Sequence, residues 1–163
     1  MKNIFILFTR YKDWFAQFLS LVRHHRYTHV SLSINDDHSV FYSFNVKGFC
    51  SETLEKHRKH GITQSALYQI RVTDDVYRKI ESEIKQTMDS KEKMKYSFLG
   101  VAFNLLHIPF HWKNRYFCSE FIATLLKKSG AVCLYKSPSL YLPEQLRMEL
   151  DKSFPASRLV NVV

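Results

Sequence analysis

Short segments with strand-like hydrophobic patterns constrain the fold of this chain more than any other feature. Residues 28–34 and 66–72 alternate apolar and polar side chains, so each predicts a strand with one buried face. The apolar run 3–9 predicts a further strand. Residues 35–38 have turn chemistry, and 39–44 are predicted to return beside 28–34 as the second strand of a hairpin.

The rest of the chain is predominantly helical in pattern. Helices are predicted at 11–22, 76–88, 96–106, 117–129 and 143–150, and a last strand at 158–163. The polar, basic stretch 45–65 is expected to be a loop with a short helical piece. These elements predict an α+β fold class, with an antiparallel sheet packed on helices. No repeat or linker divides the chain, so residues 1–163 are predicted to form a single domain.

Three cysteines, Cys50, Cys118 and Cys133, bear on the compartment. Their odd number and wide spacing argue against a disulfide framework and favour a reducing environment. The apolar run near the start, from Ile4 to Phe8, is too short for a membrane span or a signal peptide. We therefore expect a cytoplasmic protein, with delivery or export by another route as the alternative.

The chain carries 24 Lys and Arg against 15 Asp and Glu, a net charge of +9. Basic clusters lie at 23–26, at 56–60 and around Lys113. Such a surface attracts anionic partners, among them anionic lipid, cell-wall polymer and nucleic acid, although solubility alone also explains it. Because no nucleic-acid-binding motif accompanies the charge, no specific nucleic-acid partner is expected.

Cys118 is the candidate nucleophile on placement. It begins the apolar stripe of the helix predicted at 117–129, which continues through Phe121, Ile122 and Leu125. The free N–H groups of a helix N-terminus stabilise a thiolate and can bind the oxyanion of an acyl-transfer intermediate. The alternative is a small core residue, which is common for a free cysteine. Cys133 is expected to be a packing residue, and Cys50 to have a structural or incidental role.

His29 is the candidate base, because a thiol nucleophile needs an imidazole within hydrogen-bonding reach. It lies on the strand predicted at 28–34, and a strand holds a side chain in a fixed position. The histidines of the basic segments, His24, His25, His57 and His60, are expected in solvent. Two histidine pairs are spaced four apart, but neither lies on a continuous helix, so no metal site and no cofactor are predicted.

Two segments together resemble a known family. Residues 27–32 read YTHVSL, and residues 116–121 read YFCSEF. A histidine-bearing strand ahead of a Cys-Ser-Glu helix resembles the circularly permuted papain-like hydrolases, the YiiX/YaeF-like branch of the NlpC-type superfamily. Lecithin:retinol acyltransferase-like enzymes share this order, whereas in ordinary papain-like enzymes the cysteine comes first. The resemblance covers roughly Asn3 to Leu146.

The resemblance implies a permuted papain-like fold in which Cys118 is the nucleophile and His29 the base. It implies a hydrolase that cleaves an amide or ester bond through an acyl-enzyme. The implied substrates are a peptide, a wall peptide or an acyl lipid, and we expect a monomer. The alternative is a non-catalytic binding module of the same fold for anionic lipid, wall polymer or nucleic acid.

Members of this family add a polar residue on the next strand to orient the histidine. A turn centred on residues 36–37 would place Phe44 opposite His29, with Tyr42 diagonal on the same face. Ser43 would point away unless a bulge shifts the register. No acidic or histidine side chain lies at this place, so Tyr42, Ser43 or a backbone group are the candidates for the third position. Glu120 is expected to serve as the charge at its helix N-terminus.

Overall fold

The computed structural model describes residues 1–12, 25–160 and 162–163. The strands are β1 (Lys2–Thr9), β2 (His29–Ser33), β3 (Phe41–Asn45), β4 (Gly48–Glu52), β5 (Ser65–Val72), β6 (Lys95–Tyr96), β7 (Arg115–Tyr116) and β8 (Arg158–Val160). The helices are α1 (Leu54–Lys59), α2 (Asp74–Asp89), α3 (Phe98–Leu105), α4 (Cys118–Ser129) and α5 (Pro143–Ser153). Short 3-10 turns lie at Lys91–Lys93, Pro138–Leu140 and Pro155–Ser157.

One six-stranded sheet organises these elements. Its strand order is β4-β3-β2-β1-β5-β8, and every neighbouring pair is antiparallel. β6 and β7 form a separate parallel pair. The predicted α+β class, with an antiparallel sheet packed on helices, is confirmed.

The two faces of the sheet pack against hydrophobic clusters of unequal size. Alternation along β1 sends Ile6 and Phe8 to a large core beneath the helices, while Phe5 and Leu7 face a smaller cluster. α4 contributes most to the large core and packs on β2 and β3. Leu54 of α1 packs against the smaller cluster, so α1 lies on the opposite face from α4.

The region predicted as a loop contains a strand and a helix. Residues 48–52 form β4, and Thr53 caps α1 by accepting a hydrogen bond from the Lys56 N–H. Gly48 has a φ of 109°, and a Cβ at this position would collide with the Met94 carbonyl. A glycine is therefore required at the turn between β3 and β4.

The other predicted elements are present with shifted bounds, apart from the helix predicted at 11–22. All but the first two residues of that segment lie outside the described part of the chain. The hairpin register differs by one position from the expectation, since Leu32 pairs with Tyr42. Continuing that register places Val30 opposite Phe44, so the predicted pairing of His29 with Phe44 is wrong.

α5 anchors the chain just ahead of β2. The Tyr27 N–H donates to Glu144 Oε2 at 3.0 Å. Arg147 donates to Glu144 Oε1 and lies 5.7 Å from the centre of the Tyr27 ring. These contacts hold Tyr27, two residues before His29, against α5. No helix of the described residues is long and apolar enough to cross a bilayer.

Candidate active site

Cys118 is the first residue of α4, as predicted. Phe117 precedes the helix in an extended conformation, and its side chain makes no capping hydrogen bond. The first N–H groups of α4 are therefore not capped by that side chain. The Cys118 side chain is buried, and Phe121 and Ile122 below it belong to the large core.

His29 is the first residue of β2 and meets two partners. Its Nε2 lies 3.0 Å from Glu52 Oε1 and 2.9 Å from Glu52 Oε2. The Cys118 thiol lies close enough to the ring to help raise the pKa of His29, and both residues line one cavity. Because Glu52 occupies Nε2, Nδ1 is the nitrogen left for the thiol. Cys118, His29 and Glu52 therefore lie side by side in space, with His29 in the middle, although they are distant in sequence.

Glu52, the last residue of β4, fills the third position. Its side chain is 4% exposed. Neither side-chain candidate from the sequence is seen to contact His29. The Ser43 hydroxyl donates to the Val30 carbonyl at 2.6 Å, and the Tyr42 ring stacks on Phe49. Glu52 was missed because residues 45–65 were expected to be a loop, although Gly48 after a short strand is a hairpin signal.

In the pair of His29 and Glu52, each residue favours the charged form of the other. Burial by itself would lower the pKa of His29, but the Glu52 carboxylate and hydrogen bonds with Cys118 and Glu52 raise it to about 10. Burial opposes ionisation of Glu52 as well, yet the His29 ring brings the pKa of Glu52 down to about 2. At neutral pH the site therefore holds an imidazolium beside a carboxylate.

His57, on α1, approaches Glu52 from the other side. The Tyr11 hydroxyl lies 3.0 Å from His57 Nδ1, and His57 Nε2 lies 3.4 Å from Glu52 Oε2. Burial lowers the pKa of His57 to about 4, and the charge of His29 adds to this effect. If the Tyr11 hydroxyl donates to Nδ1, the proton of the neutral ring sits on Nε2 and faces the carboxylate. His57 and Tyr11 are therefore further members of the site that the sequence did not indicate.

The solvated environment expected for four histidines is only partly correct. His60 is exposed, but His25 and His57 are buried, and His24 lies outside the described residues. His57 is buried because α1 packs its inner face on the sheet, which a loop at 45–65 would not do.

Cys50 also contacts the Glu52 carboxylate, but its thiol is not suited to nucleophilic attack. Its thiol lies 3.6 Å from Glu52 Oε1. Burial, followed by the negative charge of Glu52, raises the pKa of Cys50 far above its usual range. Cys133 is exposed. Cys118 alone of the three combines a helix N-terminus with a histidine partner.

Glu120 lies in the first turn of α4, as expected for a charge at the helix N-terminus. Its side chain is buried, and Oε1 lies 2.9 Å from His111 Nδ1. Burial raises the pKa of Glu120, and the hydrogen bond with His111 opposes that effect. His111 is thereby tied to the first turn of α4.

A cavity of about 360 Å³ adjoins the site, a volume in the range of small-molecule pockets. Cys118, His29 and Glu52 all line it. Its other lining residues are polar, apolar and basic: Tyr11, Thr28, Phe44, Asn45, Val46, Lys47, Lys56, His60 and Tyr96. Within the described part of the chain, no group of three or more His, Cys, Asp or Glu side chains is placed to hold a metal ion.

A comparison with protein-family models finds no matching family, and a search of curated proteins finds no significant match.

Proposed function

We propose that this protein is a cysteine hydrolase of the permuted papain-like kind, cleaving an amide or ester bond through an acyl-enzyme. One observation carries the proposal. Cys118, at the N-terminus of α4, adjoins His29, whose far nitrogen is bound by Glu52, and all three line one cavity. A nucleophile, a base and a residue that orients the base form the arrangement that nucleophilic catalysis requires. The order of His29 before Cys118 is the permuted one.

The proposed reaction starts from the pair in which the Cys118 proton is already on His29 Nδ1, so that a thiolate faces an imidazolium. The thiolate attacks the substrate carbonyl carbon, and the N–H groups at the start of α4, that of Cys118 included, bind the oxyanion. The imidazolium then donates its proton to the departing amine or alcohol, leaving a thioester on Cys118. Water gives a proton to His29 and attacks the thioester. The carboxylic acid leaves, and the thiolate and imidazolium are restored. An acceptor amine in place of water gives acyl transfer.

Glu52 assists these reaction steps by holding the His29 ring in place. Its two oxygens accept from Nε2, which keeps Nδ1 directed at the thiol. The negative charge of Glu52 also stabilises the imidazolium that donates a proton in the first half-reaction and forms again in the second. His57 Nε2 lies 3.4 Å from the same carboxylate. His57 adds no positive charge there, because burial lowers its pKa.

The cavity lining favours a substrate that is partly apolar and partly anionic. Phe44, Val46 and Tyr96 offer apolar contacts, whereas Lys47 and Lys56 supply positive charge. A peptide, a wall peptide or an acyl lipid fits this description. Glu52 supplies the acidic third residue that the sequence did not place beside His29, and this supports a hydrolase over a non-catalytic binding module of the same fold.

The proposal is tested on a panel of amide, ester, thioester and wall-peptide substrates. We expect Cys118→Ser and His29→Ala to lower turnover at least about 1,000-fold, because each removes a group that acts in the chemical step. Cys133→Ser is the matched control, since Cys133 is exposed and follows the end of α4 opposite to Cys118. Mass spectrometry of a slow substrate should detect the acyl group on Cys118. Turnover that survives Cys118→Ser, or the lack of turnover and of any acyl adduct across the panel, contradicts the proposal.

A further inference from the structure

α3 and the loop that follows it are apolar to an unusual degree for a surface segment. No residue from Tyr96 to Phe110 is Asp, Glu, Lys or Arg. α3 buries Gly100, Val101 and Asn104 against the protein. A helix that is apolar all round is normally buried in a core or in lipid, because it has no polar face to present to water. α3 is buried on one side only.

The outer side of this segment exposes large apolar side chains. They are Phe98, Leu99, Leu106, Ile108 and Trp112, each between 46% and 67% exposed. We call these five residues the apolar shelf. The other exposed large hydrophobic residues are scattered along the sequence from Met1 to Leu159. Concentrated apolar exposure of this kind marks an interaction surface, whereas scattered exposure is ordinary.

Basic residues precede and follow the shelf in sequence, and the pairing of β6 with β7 places Lys95 opposite Arg115, so the two groups meet at one edge of it. Lys91, Lys93 and Lys95 precede it, and Lys113 and Arg115 follow it. Glu92 is the only acidic residue between positions 91 and 115. The Arg115 guanidinium lies 4.8 Å from the centre of the Trp112 ring, so a cation and an indole meet at the edge of the shelf. An apolar centre with basic and aromatic edges is the composition of an interfacial membrane segment.

We propose that the apolar shelf docks the protein on an anionic lipid surface, with α3 lying along the interface. The apolar side chains enter the acyl region, while the flanking lysines and arginine bind anionic headgroups. A second copy of this chain is a poorer occupant, because a symmetric contact would bring the same basic flanks together.

The shelf begins beside the candidate active site. Tyr96 lines the cavity that contains Cys118, and its ring lies 4.9 Å from that of Phe98 at the start of the shelf. Docking through the shelf therefore brings the cavity close to the lipid interface. The docking proposal does not depend on catalysis, and Cys118→Ala is expected to bind vesicles like the wild type.

The experiment is sedimentation with vesicles of phosphatidylcholine alone or mixed with phosphatidylglycerol. We expect binding to the anionic vesicles that weakens with salt. Leu99→Glu combined with Ile108→Glu should weaken it at least about tenfold, because carboxylates oppose both insertion and the lipid charge. Tyr135→Glu is the matched control, since Tyr135 is 86% exposed and lies outside the shelf. Circular dichroism and melting curves confirm that each variant folds.

Tryptophan fluorescence supplies a second measurement that does not rely on the double variant. The chain has two tryptophans, so Trp14→Phe leaves Trp112 as the single probe. We expect its emission to shift to the blue and to be quenched by brominated lipid. The proposal is overturned by vesicle binding that the double variant leaves unchanged, by an absence of vesicle binding, or by a shelf-dependent dimer in solution.

Discussion

Two imidazoles share the Glu52 carboxylate, and the residue-level contacts give them opposite charges. His29 makes two close contacts with the carboxylate and one with the Cys118 thiol, so its pKa is raised. His57 has a single longer contact with Glu52 and lies near the charged His29 ring, so burial prevails and its pKa is lowered. One histidine is therefore an imidazolium at neutral pH, and the other is neutral.

The same contacts predict the reactivity of the three thiols. At neutral pH we expect iodoacetamide to alkylate Cys118 faster than the exposed Cys133, and Cys50 to be slowest. The reason is that Cys118 lies at a helix N-terminus and beside His29, and positive charge at both places favours attack by its sulfur. By contrast, burial beside Glu52 raises the pKa of Cys50. Alkylation followed by mass spectrometry measures all three rates in one sample.

His29→Ala is the diagnostic variant for that measurement. It should slow alkylation of Cys118 at least about tenfold and leave Cys133 unchanged, because only Cys118 loses a neighbouring cation. Equal rates at the three cysteines, or a Cys118 rate that ignores the substitution, contradict the assignment of His29 as its partner.

At the scale of elements, the hairpin of β3 and β4 carries Glu52 to His29. Its turn depends on Gly48, which combines a φ of 109° with close approach to the Met94 carbonyl. Because β4 is the edge strand of the sheet, β3 is the only strand that pairs with it among the described elements, and β6 packs near it. A displaced turn would therefore move Glu52 as well.

Gly48→Ala should destabilise the protein more than Gly61→Ala. Both glycines have positive φ, so alanine costs about 1–2 kcal/mol at either position. A Cβ at Gly61 meets no atom within 4 Å, whereas at Gly48 it overlaps backbone, which adds about 1–3 kcal/mol. Chemical denaturation gives the two values. Equal losses in the free energy of unfolding would contradict a close approach of Gly48 to the Met94 carbonyl.

At the scale of the whole molecule, the buried charges link folding stability to pH. The raised pKa of His29 contributes fully below its ordinary value of 6.5 and is lost as pH rises through about 10. The lowered pKa of Glu52 contributes fully above 4.5 and is lost as pH falls through about 2. The lowered pKa of His57 contributes fully above 6.5 and is lost as pH falls through about 4.

These three contributions are all complete near pH 6.5, so we expect the free energy of unfolding to be largest there. Glu52→Gln should flatten the decline between pH 6.5 and about 10, because His29 then has no anion to raise its pKa. Glu55→Gln is the matched control, since Glu55 forms an exposed pair with Lys59. Denaturation at a series of pH values checks this, and an unchanged alkaline decline in Glu52→Gln would contradict it.

The sequence by itself determined the α+β class, most of the strands and helices, and the position of Cys118 at the start of α4. Each of these follows from local periodicity and helix-end chemistry, which neighbouring residues specify without long-range contacts. The candidate pair of Cys118 and His29 came from those local placements together with a family resemblance. The two residues are brought together because α4 packs on β2 and β3.

Only the tertiary structure decided the rest of the candidate site. Glu52 and His57 lie in a short polar stretch that resembles a loop, and their burial depends on a glycine turn and on packing of α1 against the sheet. A shift of one residue in the pairing of β2 and β3 also changed which side chain lies opposite His29. Strand register, burial and the charge of a buried histidine depend on residues distant in sequence, and local pattern does not encode them.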